Sequence, residues 1–411
     1  MVKKPPIDFR TLRLRVPKVF LPGTAIRSFD FFSGREEQLT KATGAVYQAG
    51  RHILIFGETG VGKTSLAKVL VDLQQKEGFR VLETLTVNCD PSDDFTTLWR
   101  KIFRELLYTE KDGHPVYMDE LLPTEAVFPD DIRYCLSRFR EPILIALDEV
   151  DQLVDADSKK LLSATIKNLS DHSPSVTLML VGVANTADSL IEGHRSIIRA
   201  LIPVRMPRMS DEEIEEILNK GLYTLGMTMD AEARGTICLF ARGFPYYAHS
   251  FGLHAGLKAI ESERLNIINQ DVFSAAADVA LNAFDIHTAY SRATISPQST
   301  SKHDMALLAC AFARPDEQGF FPAASLAWPM SILLGRDIDI PRYNHYLEEF
   351  CDYRRGRVLE VIGGKGRKRY RFSDSLMQPY VIINAFGTGK LDIPKMMQIL
   401  KGKIVTEETI H

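Results

Sequence analysis

Cysteine is scarce in this 411-residue chain, with five in all: Cys89, Cys135, Cys238, Cys310 and Cys351. They are scattered, odd in number and form no CxxC pair. That excludes a disulfide framework and a cysteine-built zinc site, and it fits a reduced, intracellular setting. Long apolar runs are missing too. The longest, such as VTLMLVGVA (176–184), fall far short of the roughly 20 residues that a membrane span needs. The N-terminal MVKKPPIDFRTLRLRVPK has no apolar core of signal-peptide length. The expectation is a soluble cytoplasmic protein with no membrane partner. An excess of one charge sign is also lacking: 50 basic residues face 53 acidic ones, for a net charge of −3. Any affinity for nucleic acid must then come from local patches. No internal repeat is found. What remains is ordinary globular composition, 45% hydrophobic and 25% charged, at a length suited to two or three domains.

Residues 1–26 read as an irregular, basic, Pro-containing leader. An alternation of strands and helices follows. Short apolar runs at 52–56, 142–147, 176–184 and 202–206, with RVLETLTVN at 80–88, are the expected strands. Helical stretches lie between them, the first from about Lys63 to Glu77. Such alternation implies a parallel sheet covered on both faces. In the segment 90–141, Trp99 and Phe103 stand four apart on a predicted helix and read as core. YTEKDGHPVYMDE (108–120) reads as a loop. From Ser210 the pattern turns helical throughout. Ser210 with Glu213 forms a capping-box signature, and Ile214, Ile217, Leu218 and Leu222 share one helix face. After a polar stretch with Pro297 (292–302), three helices precede two strands joined by GKGRK, then one more helix. That is the order of a winged helix-turn-helix.

GETGVGKTS (57–65) matches GxxxxGK[ST] between a strand and a helix. Gly57, Gly60 and Gly62 permit backbone conformations and close approach that side chains would block. The amides of Gly57, Glu58, Thr59, Gly60, Val61, Gly62, Lys63, Thr64 and Ser65, with the helix N-terminus, can face phosphates. Lys63 would reach the β and γ phosphates, and the Thr64 hydroxyl would bind magnesium. ATP and Mg²⁺ are the expected cofactors. ILIALDEVDQL (143–153) sets Asp148 at the C-terminal end of a strand, where ligands of open parallel sheets bind. Asp148 is read as the magnesium-side carboxylate. Glu149 follows it, placed to take a proton from an attacking water. LVGVANTAD (180–188) ends a strand in Asn185, which can hold that water or serve as a turn residue.

These motifs resemble those of the AAA+ ATPases. GETGVGKTS is similar to Walker A, LIALDE to Walker B and Asn185 to sensor 1. FFSGREEQL (31–39) resembles the box that lies beside the adenine in replication initiators, and DEVDQL resembles the acidic stretch of that group. The resemblance covers about residues 20–290, and reaches about 386 with the winged helix. It implies an α/β fold: a P-loop AAA+ core (27–206), an all-helical lid (207–291), a linker (292–302), a winged helix-turn-helix (303–386) and a tail (387–411). It also implies a homo-oligomer whose site is completed by a neighbour's arginine. Arg195 and Arg199 stand at about the right place, and the other reading of them is structural. One departure is clear. Where many lids carry a sensor-2 arginine, RGFPYYAHS (242–250) places Tyr246. Gly243-Phe244-Pro245 is instead similar to the GxP element of STAND signalling ATPases, whose proline packs near the adenine. A plain helix-opening turn is the alternative for Pro245.

Two functions follow as expectations. One is an ATP-hydrolysing switch or remodeller acting on DNA or a DNA-associated complex. The other is a STAND-like signalling scaffold that controls an effector protein in bacterial defence or a mobile element. The basic tip GGKGRKRYRFSD (363–374) bears on this choice. Lys365, Arg367, Lys368, Arg369 and Arg371 could track a phosphate backbone. Protein docking and simple solvation are the other readings. Glu348, Glu349 and Asp352, on the preceding helix, would repel phosphates if exposed.

Overall fold

The computed structural model describes residues 8–26, 29, 32–76, 83–110, 113–139, 141–173, 175–183, 197–296, 302–316, 318–338, 340–364 and 367–405. The chain divides into two compact units: Gly23–Ile217, and Met1–Pro22 together with Leu218–His411.

In Gly23–Ile217 five strands form one sheet: β1 (His52–Gly57), β2 (Glu83–Asn88), β3 (Ile143–Asp148), β4 (Val176–Val183) and β5 (Leu201–Met206), in the order β2-β3-β4-β1-β5. Every pairing is parallel. HILIFG of β1 and ILIALD of β3 are buried at every position. This is what central strands covered on both faces require. The edge strand β5 is buried only in part, at Leu201, Val204 and Met206. Helices Lys63–Lys76, Phe95–Phe103, Pro129–Leu136 and Ala156–His172 make the connections. Trp99 and Phe103 are fully buried, with ring centroids 5.5 Å apart, so they are core as expected.

One buried polar group needs its own account. His52 opens β1 with no exposed surface. The Leu178 amide donates to Nδ1 at 3.0 Å, so Nε2 carries the proton and donates to the Ile166 carbonyl at 3.1 Å. Both ring nitrogens are satisfied in the neutral form. Burial pushes this imidazole down to about 4.

The segment 108–120 is not simply a loop. Leu107–Thr109 and Pro115–Tyr117 pair antiparallel. Gly113 turns the chain at φ 90°, and Tyr108 packs edge-on against Phe139 at 5.6 Å. Long-range packing of one aromatic fixes the hairpin, which local composition did not signal.

The second unit is mainly helical. The leader is a further correction. Residues Phe9–Val19 form a helix capped by Asp8, whose carboxylate accepts from the Arg10 and Thr11 amides. Phe20, just beyond it, packs where a Cβ on Gly221 or Gly252 would come within 2.5 or 2.4 Å of its ring. Only glycine leaves that ring room. Helices Ala231–Ala241, Pro245–Glu261, Asn269–Asn282 and Phe284–Thr294 follow, so the first residues of the expected linker are helical.

Beyond residue 302 come helices His303–Phe312, Ala327–Leu334 and Asn344–Phe350. A three-stranded sheet completes this part: Phe321–Pro322 and Leu359–Ile362 both pair antiparallel with Arg369–Phe372. This is the winged helix-turn-helix arrangement. Its last helix, Met377–Gly387, packs into the preceding helices. Phe386 lies 5.2 Å from Phe240 and 5.0 Å from Phe273, and the Tyr247 hydroxyl donates to the Leu376 carbonyl. The helical and winged parts therefore share one core. Among the described residues no helix is long and apolar enough to cross a membrane.

Candidate functional site

The loop 57–62 leaves the buried end of β1 and enters the helix at Lys63. Gly57 is required by close approach: a Cβ there would meet the Met206 carbonyl oxygen at 2.4 Å. Gly60 and Gly62 hold φ of 82° and 98°, which favour glycine. The Lys63 ammonium is buried and donates to the Glu58 carbonyl at 2.8 Å. Burial pushes its pKa down to about 8, opposed by the carboxylates of Asp151, Asp148, Glu58 and Glu149. A buried cation at the mouth of a glycine-shaped amide loop suits a polyanion.

Parallel pairing brings the acids to the same end of the sheet. Asp148 closes β3 opposite Asn88 and is 4% exposed. Its carboxylate accepts from the Glu149 amide at 3.0 Å. Glu149 itself is exposed and left-handed, at φ 58° and ψ 38°. A non-glycine residue in that region is uncommon, and such outliers concentrate at functional sites. Asp151 was not singled out in the sequence. Its carboxylate accepts from the Val183 amide at 2.7 Å and so ties the acidic turn to the end of β4. It is the leading carboxylate influence on Lys63. Its sequence signal is the third acid of DEVDQL.

A third segment closes the corner. Arg35, 2% exposed and left-handed at φ 66°, donates through Nη2 to the Val61 carbonyl at 3.2 Å and the Pro207 carbonyl at 2.5 Å. Its own amide donates to Glu213 at 3.0 Å, and the Gly34 amide donates to Glu216 at 2.8 Å. Ser210 and Glu213 make the reciprocal capping bonds expected of them. Arg208 holds Glu58 through Nε and Nη2, the shortest contact being 2.8 Å. Met206, Pro207 and Arg208 in succession therefore engage the phosphate loop or the arginine that holds it.

Residues 46–190 match the family model described as an AAA domain. That match marks this stretch of the chain as an AAA domain. Its fold is similar to that of the Walker-type ATPase PABY2304 of Pyrococcus abyssi, at a TM-score of 0.52 and 14% identity over 89% of this chain and 99% of that one. It is also similar to the Aeropyrum pernix ORC2 protein, solved as ADPNP–ADP complexes. There the TM-score is 0.51 and the identity 15%, over 94% of this chain and 98% of that one.

Asn185 and Arg195 lie outside the described residues. Arg199 ends a short 3-10 turn with its side chain exposed, and its carbonyl accepts from the Arg51 guanidinium. Pro245 belongs to the other unit, where it is the first residue of the helix Pro245–Glu261, after Arg242 and Gly243 at positive φ. Tyr246 stacks edge-on against Tyr247 at 4.9 Å.

At the winged tip most of the described cations have carboxylate partners. Lys365 lies outside the described residues. Lys368 pairs with Glu348 at 2.7 Å, Arg371 with Glu360 at 2.7 Å, and Arg369 with Asp316. Arg371 also lies over the Phe320 ring at 4.6 Å. Arg367 is exposed. The acids in and just beyond the helix Asn344–Phe350 have partners within the chain. Glu349 accepts from His303 at 2.7 Å and from Arg355 at 3.2 Å, and Asp352 caps the turn at Arg354.

Proposed function

We propose that this chain binds and hydrolyses Mg-ATP as a nucleotide-dependent AAA+ switch, and that it acts on DNA or a DNA-associated complex. The nucleotide reading rests on one observation above the others: buried Lys63, framed by a glycine-shaped loop, stands at the same sheet end as Asp148 and Glu149. The amides of residues 57–65 and Lys63 bind phosphates. Among the described residues no cluster of three His, Cys, Asp or Glu can hold a metal by itself. A magnesium ion would be held by Thr64, Asp148 and the phosphates together. Glu149 accepts the proton of the attacking water, and Asn185 orients that water. An arginine from a neighbouring copy, Arg199 or Arg195, steadies the charge that develops.

The DNA reading is supported by the winged helix-turn-helix and by exposed Arg367 at its tip. The signalling-scaffold alternative finds no support in the matching proteins. The deciding experiment compares ATP turnover and Mg-ATP binding in wild type and Glu149→Gln, with and without duplex DNA. Binding should persist in the variant while turnover falls by about 100-fold or more, as expected on loss of a general base. Wild-type turnover in Glu149→Gln would overturn that role. Turnover indifferent to DNA at low salt would remove the DNA assignment.

A further inference from the structure

Glu58 is an awkward residue for a phosphate loop. Its neighbours Thr59 to Gly62 carry no charge. Its carboxylate is near enough to Lys63 to act on that ammonium, and its carbonyl holds the same group at 2.8 Å. Left alone, it would set a negative charge beside the place where a triphosphate must sit. Arg208 answers it with a forked contact through Nε at 3.1 Å and Nη2 at 2.8 Å to one oxygen, and through Nε at 3.3 Å to the other. The two side chains are 30% and 26% exposed, so the pair is only partly screened by solvent.

The backbone holds this arrangement in place from both sides. Gly57, next to Glu58, is pressed against the Met206 carbonyl. Pro207, next to Arg208, is tied through Arg35 to Val61 of the same loop. Two residues beyond Arg208, Ser210 caps the helix that starts at Asp211.

We propose that Arg208 is a positioning residue for nucleotide, and that its charge cancels that of Glu58 so that the loop can accept a triphosphate. The inference rests on the nucleotide reading of this site and adds a determinant of affinity to it. The sign of each effect follows. Removing Arg208 exposes the phosphates to Glu58 and weakens binding. Removing the Glu58 charge leaves Arg208 facing the phosphates and strengthens binding. Removing both restores the balance. A purely structural pair would instead weaken binding in all three variants.

The test is Mg-ATP and Mg-ADP affinity of the full chain at pH 7 for Arg208→Met, Glu58→Gln and the double variant, with thermal midpoints measured without nucleotide. Arg208→Met should lose about tenfold in Mg-ATP affinity, as an uncompensated carboxylate near a polyanion implies. Glu58→Gln should gain about threefold, and the double variant should return to within about threefold of wild type. Weaker binding in all three, tracking their thermal midpoints, overturns the proposal. So does unchanged affinity in Arg208→Met. Failure of wild type itself to bind Mg-ATP would sink the nucleotide reading instead.

Discussion

Two regions of this molecule handle positive charge in opposite ways. At the phosphate loop a single lysine is buried, and the carboxylates of Asp151, Asp148, Glu58 and Glu149 oppose the fall in its pKa. At the winged tip five of the seven residues from Lys365 to Arg371 are basic, yet Lys368, Arg369 and Arg371 each have a carboxylate partner. Counting charges in the sequence ranks the tip first. Position reverses the ranking. A desolvated ammonium is costly to bury and is retained where a ligand will share its charge. Solvated ion pairs at a tip contribute little to stability and neutralise what a phosphate backbone would read.

Removing the buried cation gives the largest contrast. Lys63→Ala should weaken Mg-ATP binding by about 100-fold or more, because a charge-assisted contact to phosphate in a desolvated site has no solvent substitute. Equilibrium binding of a fluorescent ATP analogue reads this directly. Affinity within a few-fold of wild type would show that the loop amides alone hold the ligand, and the comparison with the tip would lose its basis.

Proton affinity separates the regions next. Lys63 is pushed down to about 8, while its pairing with Glu348 holds Lys368 above its ordinary value. Bound phosphates stabilise the Lys63 ammonium, so nucleotide binding takes up a proton above pH 8. Mg-ATP affinity should hold from pH 7 to 8 and then fall by up to about tenfold per unit. The nucleotide-free protein should move the other way. Between about 8 and 10.5 its folded state holds fewer protons at Lys63 than the unfolded chain, so this group makes stability rise with pH across that window. A flat affinity profile from pH 7 to 9.5 would place Lys63 outside the binding step.

The same contrast explains what the sequence made legible. The loop 57–65, Asp148 and the buried strands around them are local patterns, because glycine spacing and apolar runs act within a few residues. The partners that set the charge balance are remote in sequence. Glu58 is balanced by Arg208, Lys368 by Glu348 and Arg369 by Asp316. Nothing in the run RVLEVIGGKGRKRYR says that its cations are spoken for. The leader shows a different limit. Pro17 argues against a helix there, yet in the last turn of Phe9–Val19 it removes one amide and the helix persists. The packing of Phe20 over Gly221 and Gly252 rewards that helix from more than 200 positions away.

The smallest effects belong at the tip, and they test whether pairing silences it. Arg367, exposed and adjoining the pair, should make the phosphate contact if DNA binds here. Arg367→Glu should lower affinity for a duplex and flatten its salt slope by about one, the signature of one lost phosphate contact. Lys368→Glu should change affinity less, because that ammonium is already engaged by Glu348. Glu348→Gln should do the reverse of both: it frees Lys368 and should strengthen duplex binding about two- to fivefold at low salt, an advantage that shrinks as salt screens it. Fluorescence anisotropy at two salt concentrations distinguishes the three variants. Should Glu348→Gln leave affinity unchanged while Arg367→Glu also has no effect, the tip does not touch phosphate, and its cations serve the folded wing alone.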